Sequence, residues 1–269
     1  MTISAAPEPI SRLALIIHLF NYYLMNQQAT IEQLQQLRLH GMAHSYAAIL
    51  QLPLQQQPAA HELLAQLAEA EAQYRTQRRT QLYLSLSKLR YDAVLSEIHC
   101  SAERNFTREQ LATLADCSFI YSSRNVLITG PTGCGKSFIA CALGRHACTM
   151  GHKTLYLNMN RFTEKIASAK LDGTYLKLLN QLEKVSLIIL DDFGLQPLDQ
   201  QLKLALLQML EDRYAKRPLI ITSQLPVAKW HEYLGEPTLA DAIMDRLTAD
   251  AHRIELQGES LRKKKSAES

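Results

Sequence analysis

Apolar and polar positions along this chain follow two periods in turn. From residue 29 to 51 the spacing is helical: Ile31, Leu34 and Leu37 recur at threes, Gly41 reads as a break, and Met42 to Leu50 resumes the run. Pro53 and Pro58 bracket a Gln-rich turn. A longer helical pattern runs from about Ala59 to Arg90, with Leu63, Leu64, Leu67 and Ala68 as its apolar face. Ser101 to Phe106 reads as a linker. Thr107 with Gln110 fits a capping box that opens a short helix through Ala115. Beyond it the period shortens. Val126 to Ile128, Lys153 to Leu157, Leu187 to Leu190 and Pro218 to Thr222 have the length and composition of buried strands, and Ala251 to Leu256 reads as a fifth. Helical stretches separate them at 138–144, stopped by Gly151, at about 160–170 and 174–183, and at 238–249. Strands alternating with helices predict a parallel α/β sheet behind an all-helical N-terminal part. The few residues after the fifth strand lead to the expectation that no helical lid domain is appended.

The chemistry-bearing stretch follows the first strand. Gly130-Pro131-Thr132-Gly133-Cys134-Gly135-Lys136-Ser137 reads G-x-x-x-x-G-K-S, a phosphate-binding P-loop in its strand–loop–helix setting. The glycines admit backbone conformations closed to other residues, so successive N–H groups can face one phosphate chain, and the positive end of the next helix adds to that anion site. Lys136 is expected to reach the β- and γ-phosphates of ATP, and the Ser137 hydroxyl to ligate Mg²⁺. The third strand ends in Asp191-Asp192, the shape of a Walker B element. Asp191 is the expected metal-site acid, and Asp192 could orient or deprotonate the attacking water. The fourth strand ends in Ser223-Gln224, where a polar side chain can sense the γ-phosphate. Arg246 lies in the last helical stretch.

Composition narrows the setting. The chain has 269 residues, 47% of them hydrophobic, and a net charge of +3, room for a sizeable core and mildly basic without specifying a partner. Five cysteines without C-x-x-C spacing point to a reducing compartment, hence the cytoplasm, and to no zinc site. The apolar run Leu13 to Phe20 is too short to span a bilayer, so no membrane association is expected. Residues 1–24 read as an upstream extension rather than a targeting segment. From Ala72 to Arg90 there are Arg75, Arg78, Arg79, Lys88 and Arg90 with interleaved tyrosines and no acid. Such a face can lie along DNA phosphates, although most charge runs are solvated surface. Arg262 to Lys265 forms a basic tail.

Taken together, LRLHGMA (37–43), CSAERNF (100–106), NVLITGPTGCGKSFIACALG (125–144), LIILDDFGL (187–195), LEDRYAKRPLIITSQLP (210–226), PTLADAIMDRL (237–247) and HRIELQGESLRKK (252–264) resemble the IstB-like helper ATPases of insertion-sequence transposons, relatives of the DnaC-type helicase loaders within the AAA+ class. The resemblance implies an AAA+ P-loop domain with a five-stranded parallel sheet (101–258) behind a small all-α N-terminal domain (25–100), with the basic tail at 259–269. It also implies homo-oligomers holding ATP between subunits, with Arg246 as the arginine finger and Gln224 as the sensor. Helices at 160–183, carrying Lys165, Lys170 and Lys177, occupy the place where loaders and initiators contact DNA. The implied role is ATP-dependent binding and deformation of double-stranded DNA, recruitment of a partner transposase, and hydrolysis as a timer. A helicase loader is the runner-up; a small-molecule kinase and a non-catalytic ATP-dependent scaffold are further alternatives. Asp192 departs from the Glu common in the AAA+ class, and a shorter side chain there suits slow hydrolysis.

Overall fold

The computed structural model describes residues 26–261, so the apolar run at 13–20, the reading of residues 1–24 as an extension and the lysines of the tail lie outside the described residues. By packing, the described chain falls into two compact units, divided along the sequence between Arg78 and Arg79.

The first unit holds helix α1 (26–36), α2 (His40–Leu50) and most of α3 (Ala60–Ser87), which runs across the division. Gly41 does not break a helix, as its spacing had suggested. The break falls at residues 37–39, where Arg38 takes a left-handed φ of 60°, and Gly41 sits in the first turn of α2. It is there because α2 and α3 approach closely: a Cβ on Gly41 would lie 2.7 Å from the Glu71 Cα and 2.8 Å from the Tyr74 Cβ. The Gly41 and Met42 N–H groups donate to Glu71 Oε2 at 2.7 and 3.2 Å, so a side chain from α3 caps α2. Burial opposes the Glu71 charge, but bonds from Arg75, Met42 and Gly41 outweigh it and hold its pKa below the usual value.

The second unit is a three-layer α/β/α sandwich. Strands β1 (Val126–Thr129), β2 (Thr154–Asn158), β3 (Leu187–Phe193), β4 (Leu219–Ser223) and β5 (His252–Glu255) form one sheet in the order β2-β3-β4-β1-β5, every pair parallel. Side chains alternate across it. Val126, Ile128, Leu187 and Ile189 pack on one face with α4 (Arg108–Ala115), α5 (Ser118–Tyr121) and α6 (Lys136–Thr149). Leu127, Ile188, Leu190 and Ile221 pack on the other with α7 (Met159–Leu171), α8 (Tyr175–Lys184), α9 (Gln200–Arg213), α10 (Trp230–Leu234) and α11 (Pro237–Thr248). Covering both faces is what forces the near-continuous apolar runs that marked the strands in the sequence. The expected capping box is present: Gln110 N–H donates to Thr107 Oγ1 at 3.2 Å and Thr107 N–H to Gln110 Oε1 at 2.9 Å. Cys141 and Cys148 are fully buried in α6, and all five cysteines are free.

Among the elements that escaped the periodic pattern, two matter most for the fold. Helix α9 is opened by Asp199, whose side chain accepts from Leu202 N–H at 2.7 Å. Its last residue, Arg213, is 1% exposed, and its guanidinium donates to the carbonyls of Leu182, Val185 and Pro218 at 2.6 to 2.9 Å. It ties the end of α8 to the starts of β3 and β4. The second is Ser101 to Phe106, which is no linker: Ser101 and Phe106 form an antiparallel bridge, and Phe106 is fully buried in the core.

Replacing Arg213 with Met would strand three buried carbonyls. Urea denaturation should report a loss of about 3 kcal/mol; a loss under about 1 kcal/mol would mean those carbonyls find other donors.

Candidate active site

The site lies where β1, β3 and β4 end. Because β4 is inserted between β1 and β3, the P-loop and the acidic strand end sit two strand spacings apart, on either side of the β4 terminus. Gly130 N–H donates to Ser223 O at 3.2 Å, joining the loop to β4. Gly135 then caps α6 with φ 93°, a conformation that glycine adopts without strain. The buried Lys136 Nζ donates to the carbonyls of Gly130 and Pro131 at 2.7 and 2.8 Å, so the ammonium is held inside the loop. The loop is braced from outside. Arg104, 8% exposed, donates to Cys134 O and to His99 O, and Leu261 N–H donates to Gly133 O at 3.0 Å.

The acidic end of β3 is irregular. The β3–β4 register shifts between Leu190 and Phe193, and Asp192 takes a left-handed φ of 63°. In a regular strand, neighbouring carboxylates point to opposite faces. This bulge re-aims them. Asp191 is fully buried and densely bonded. Its Oδ1 accepts from Ser137 Oγ at 2.7 Å and from Thr222 Oγ1, and its Oδ2 accepts from the Tyr156 hydroxyl at 2.5 Å. Thr222 also accepts from Asp192 N–H at 3.1 Å. Burial, and then the bond to Asp191, push the Tyr156 hydroxyl pKa far up, so Tyr156 acts as a donor throughout the neutral range. At the β4 end, Gln224 Oε1 accepts from Thr132 Oγ1 at 2.7 Å, which links the expected sensor to the P-loop.

These residues fit a triphosphate with a magnesium ion. A glycine loop leads into a helix N-terminus with a lysine inside it, and the Ser137 hydroxyl and Asp191 carboxylate converge as hard oxygen donors. Among the described residues there is no cluster of three or more His, Cys, Asp or Glu placed to hold a metal.

A model of the IstB-like ATP-binding proteins matches residues 32–269. The chain belongs to this family. It is 43% identical to an insertion-sequence ATP-binding protein of Sinorhizobium fredii over 87% of this chain and 96% of that one. It is 39% identical to the insertion-sequence IS1162 ATP-binding protein of Pseudomonas fluorescens over 75% and 88%. In fold it resembles the crystal structure of the DnaC helicase loader, with a TM-score of 0.52 at 16% identity over 62% of this chain and 98% of that one. The likeness is one of fold, a five-stranded parallel sheet with a P-loop after its first strand.

In this IstB-like chain Arg246 and the lysines of α7 and α8 are placed elsewhere in the second unit. Arg246, on α11, is at the opposite end of the sheet from its own P-loop: Asn125, which precedes β1, donates to the Arg246 carbonyl at 2.9 Å. The Arg246 guanidinium pairs with Glu211 at 2.7 Å and lies 5.9 Å from the Tyr214 ring centre. Arg75, Arg78 and Arg79 are exposed, but Arg75 is committed to Glu71 at 2.7 Å, an acid one helical turn before the cationic stretch. Lys165 and Lys177 line a groove of about 530 Å³ between α7 and α8 together with Arg161, while Lys170 reaches Gln201 at 3.3 Å. No helix among the described residues is long and apolar enough to cross a membrane.

Sequence reasoning missed four residues. Thr222 and Tyr156 read as strand filler, and only the inward alternation of β4 and β2 hinted at their direction. Arg104 lay in a segment that the resemblance marked but no spacing rule could place. Arg90 was counted with the α3 cations. The Thr222→Val variant keeps the shape and removes a hydroxyl that serves both Asp191 and Asp192. It should lose about 2 kcal/mol of stability in equilibrium denaturation; a loss below about 0.5 kcal/mol would remove Thr222 from the network.

Proposed function

We propose that this protein is an ATP-hydrolysing transposition helper that assembles on double-stranded DNA with ATP and engages a transposase. The observation that carries the reading is the convergence of Lys136, Ser137, Asp191 and Asp192 at the ends of β1 and β3. Lys136 and the loop N–H groups bind the β- and γ-phosphates. Asp192 sits beyond the metal-site acid, where it can take up or orient a water proton. Gln224, tied to Thr132, reads the γ-phosphate end. Mg²⁺, held by Ser137 and Asp191, would neutralise phosphate charge. The relatives' description as insertion-sequence ATP-binding proteins supports the transposition role over helicase loading.

Arg246 supports assembly. It cannot serve its own P-loop from the far end of the sheet, so its contribution to hydrolysis is made to a neighbouring copy. The decisive experiment measures the ATPase rate with and without duplex DNA and the partner transposase. The expected result is stimulation by both; a rate indifferent to both, or no phosphate release under any condition, would overturn the reading. Arg246→Ala should lower stimulated turnover by about a hundredfold or more. ATP binding by the isolated subunit should survive, and full activity would exclude the finger role.

The α7–α8 groove, with Arg161, Lys165 and Lys177 on its rim, is the favoured DNA contact on this unit. Changing Lys165 and Lys177 together to Gln should reduce the slope of log affinity against log salt by about two, close to one for each phosphate that is no longer neutralised. An unchanged slope would return these lysines to ordinary surface.

A further inference from the structure

Arg90 is the feature of the site that neither the P-loop pattern nor the Walker B pattern accounts for. It is chemically out of place among a run of cations read as surface. Its Nη1 lies 3.7 Å from Asp191 Oδ2 and 3.7 Å from Asp192 Oδ2. Two sequence-adjacent carboxylates can face one guanidinium because of the β3 bulge and the left-handed Asp192. The Arg90 side chain is 43% exposed, but the backbone that carries it is held in place. Leu89 and Tyr91, on either side of it, pack against the α6 face of the core, the Tyr91 ring meets Phe138 at 6.3 Å, and Asp92 is paired with Arg145 of α6. The backbone carrying Arg90 is therefore anchored to the P-loop helix at three points. Burial opposes its charge, but the Tyr156 hydroxyl, Tyr91 and Asp191 outweigh that and raise its pKa.

We infer that Arg90 is a positioning residue for the Asp191–Asp192 pair: its guanidinium offsets the repulsion between the two carboxylates and fixes the direction of Asp192, while competing with a divalent cation for Asp191. The two effects have opposite signs. Two carboxylates at the end of one strand repel each other, and a shared cation lowers that energy and sets their geometry. The same positive charge close to Asp191 disfavours a second cation there. With a metal ion at Asp191, Arg90 would stay on Asp192, the residue placed to handle the water. The arginine fork suits this double contact better than the point charge of a lysine. The inference rests on the reading of Asp191 as the metal-site acid.

The test uses the full chain and a fluorescent ATP analogue, and follows equilibrium binding as Mg²⁺ is titrated, with no turnover required. In Arg90→Ala the Mg²⁺ concentration for half-maximal binding should fall about fivefold, because a like charge near the metal acid is gone. Turnover at saturating Mg²⁺ should fall about tenfold, because Asp192 is no longer held. Arg90→Lys, which keeps the charge and loses the fork, should keep the wild-type Mg²⁺ midpoint and still lose turnover. A purely structural role would lower the melting temperature and leave the Mg²⁺ midpoint where it was. A midpoint within about twofold of wild type in a folded Arg90→Ala protein would overturn the inference. Should that variant not fold, Arg90→Gln carries the same comparison. Asp191→Asn separates the two claims. If it leaves the Mg²⁺ dependence of the wild type intact, the metal-site reading itself has failed; if it abolishes that dependence while Arg90→Ala does not move it, only the role of Arg90 has.

Discussion

A single buried carboxylate holds this candidate active site together. Asp191 has no access to solvent, yet it sits where three strands end, and a buried carboxylate is tolerated only if donors surround it. Ser137 brings the P-loop helix, Thr222 brings β4 and Tyr156 brings β2. Those three bonds are also the contacts that bring the Walker elements into register. Each donor comes from a different element, so the site can form only when the sheet order β2-β3-β4-β1 is already in place.

The same constraint explains the local irregularities. A strand that ends in two acids must turn one of them away from its natural face if both are to work at a single point. The β3 bulge does this, and the left-handed Asp192 backbone is its local consequence. Thr222 stabilises the irregularity from both sides, donating to Asp191 and accepting from the Asp192 N–H. Strain at one residue is thereby spread over hydrogen bonds from two strands, as is common where a site needs a geometry that regular structure does not supply.

Around this centre the chain uses arginines as internal ties. Arg213 gathers three carbonyls at the strand-start end of the sheet, and Arg104 gathers the P-loop and the residue-99 carbonyl behind the site. Both are nearly dry, and both satisfy backbone acceptors rather than acids. A planar guanidinium with several fixed donors suits that task. Arg246, by contrast, keeps a partner it can exchange: Glu211 is partly exposed, and an ion pair in such a place is held weakly enough to be traded for another anion.

Much of this was legible in the chain alone. The P-loop spacing, the apolar runs of the five strands, the Thr107–Gln110 cap and the acidic end of β3 are short-range patterns, each imposed by local backbone geometry or by burial on both sheet faces. What stayed hidden depends on separations that periodicity cannot span. Gly41 looked like a helix break because a glycine's local effect is to loosen backbone; its actual cause is Glu71 and Tyr74, thirty or more residues away, pressed against it. Arg90 looked like one more surface cation until the strand order put two carboxylates in front of it. Local sequence dictates which backbone a residue prefers, whereas only the folded sheet decides which distant charge it will meet, because electrostatic partners are chosen by distance in space.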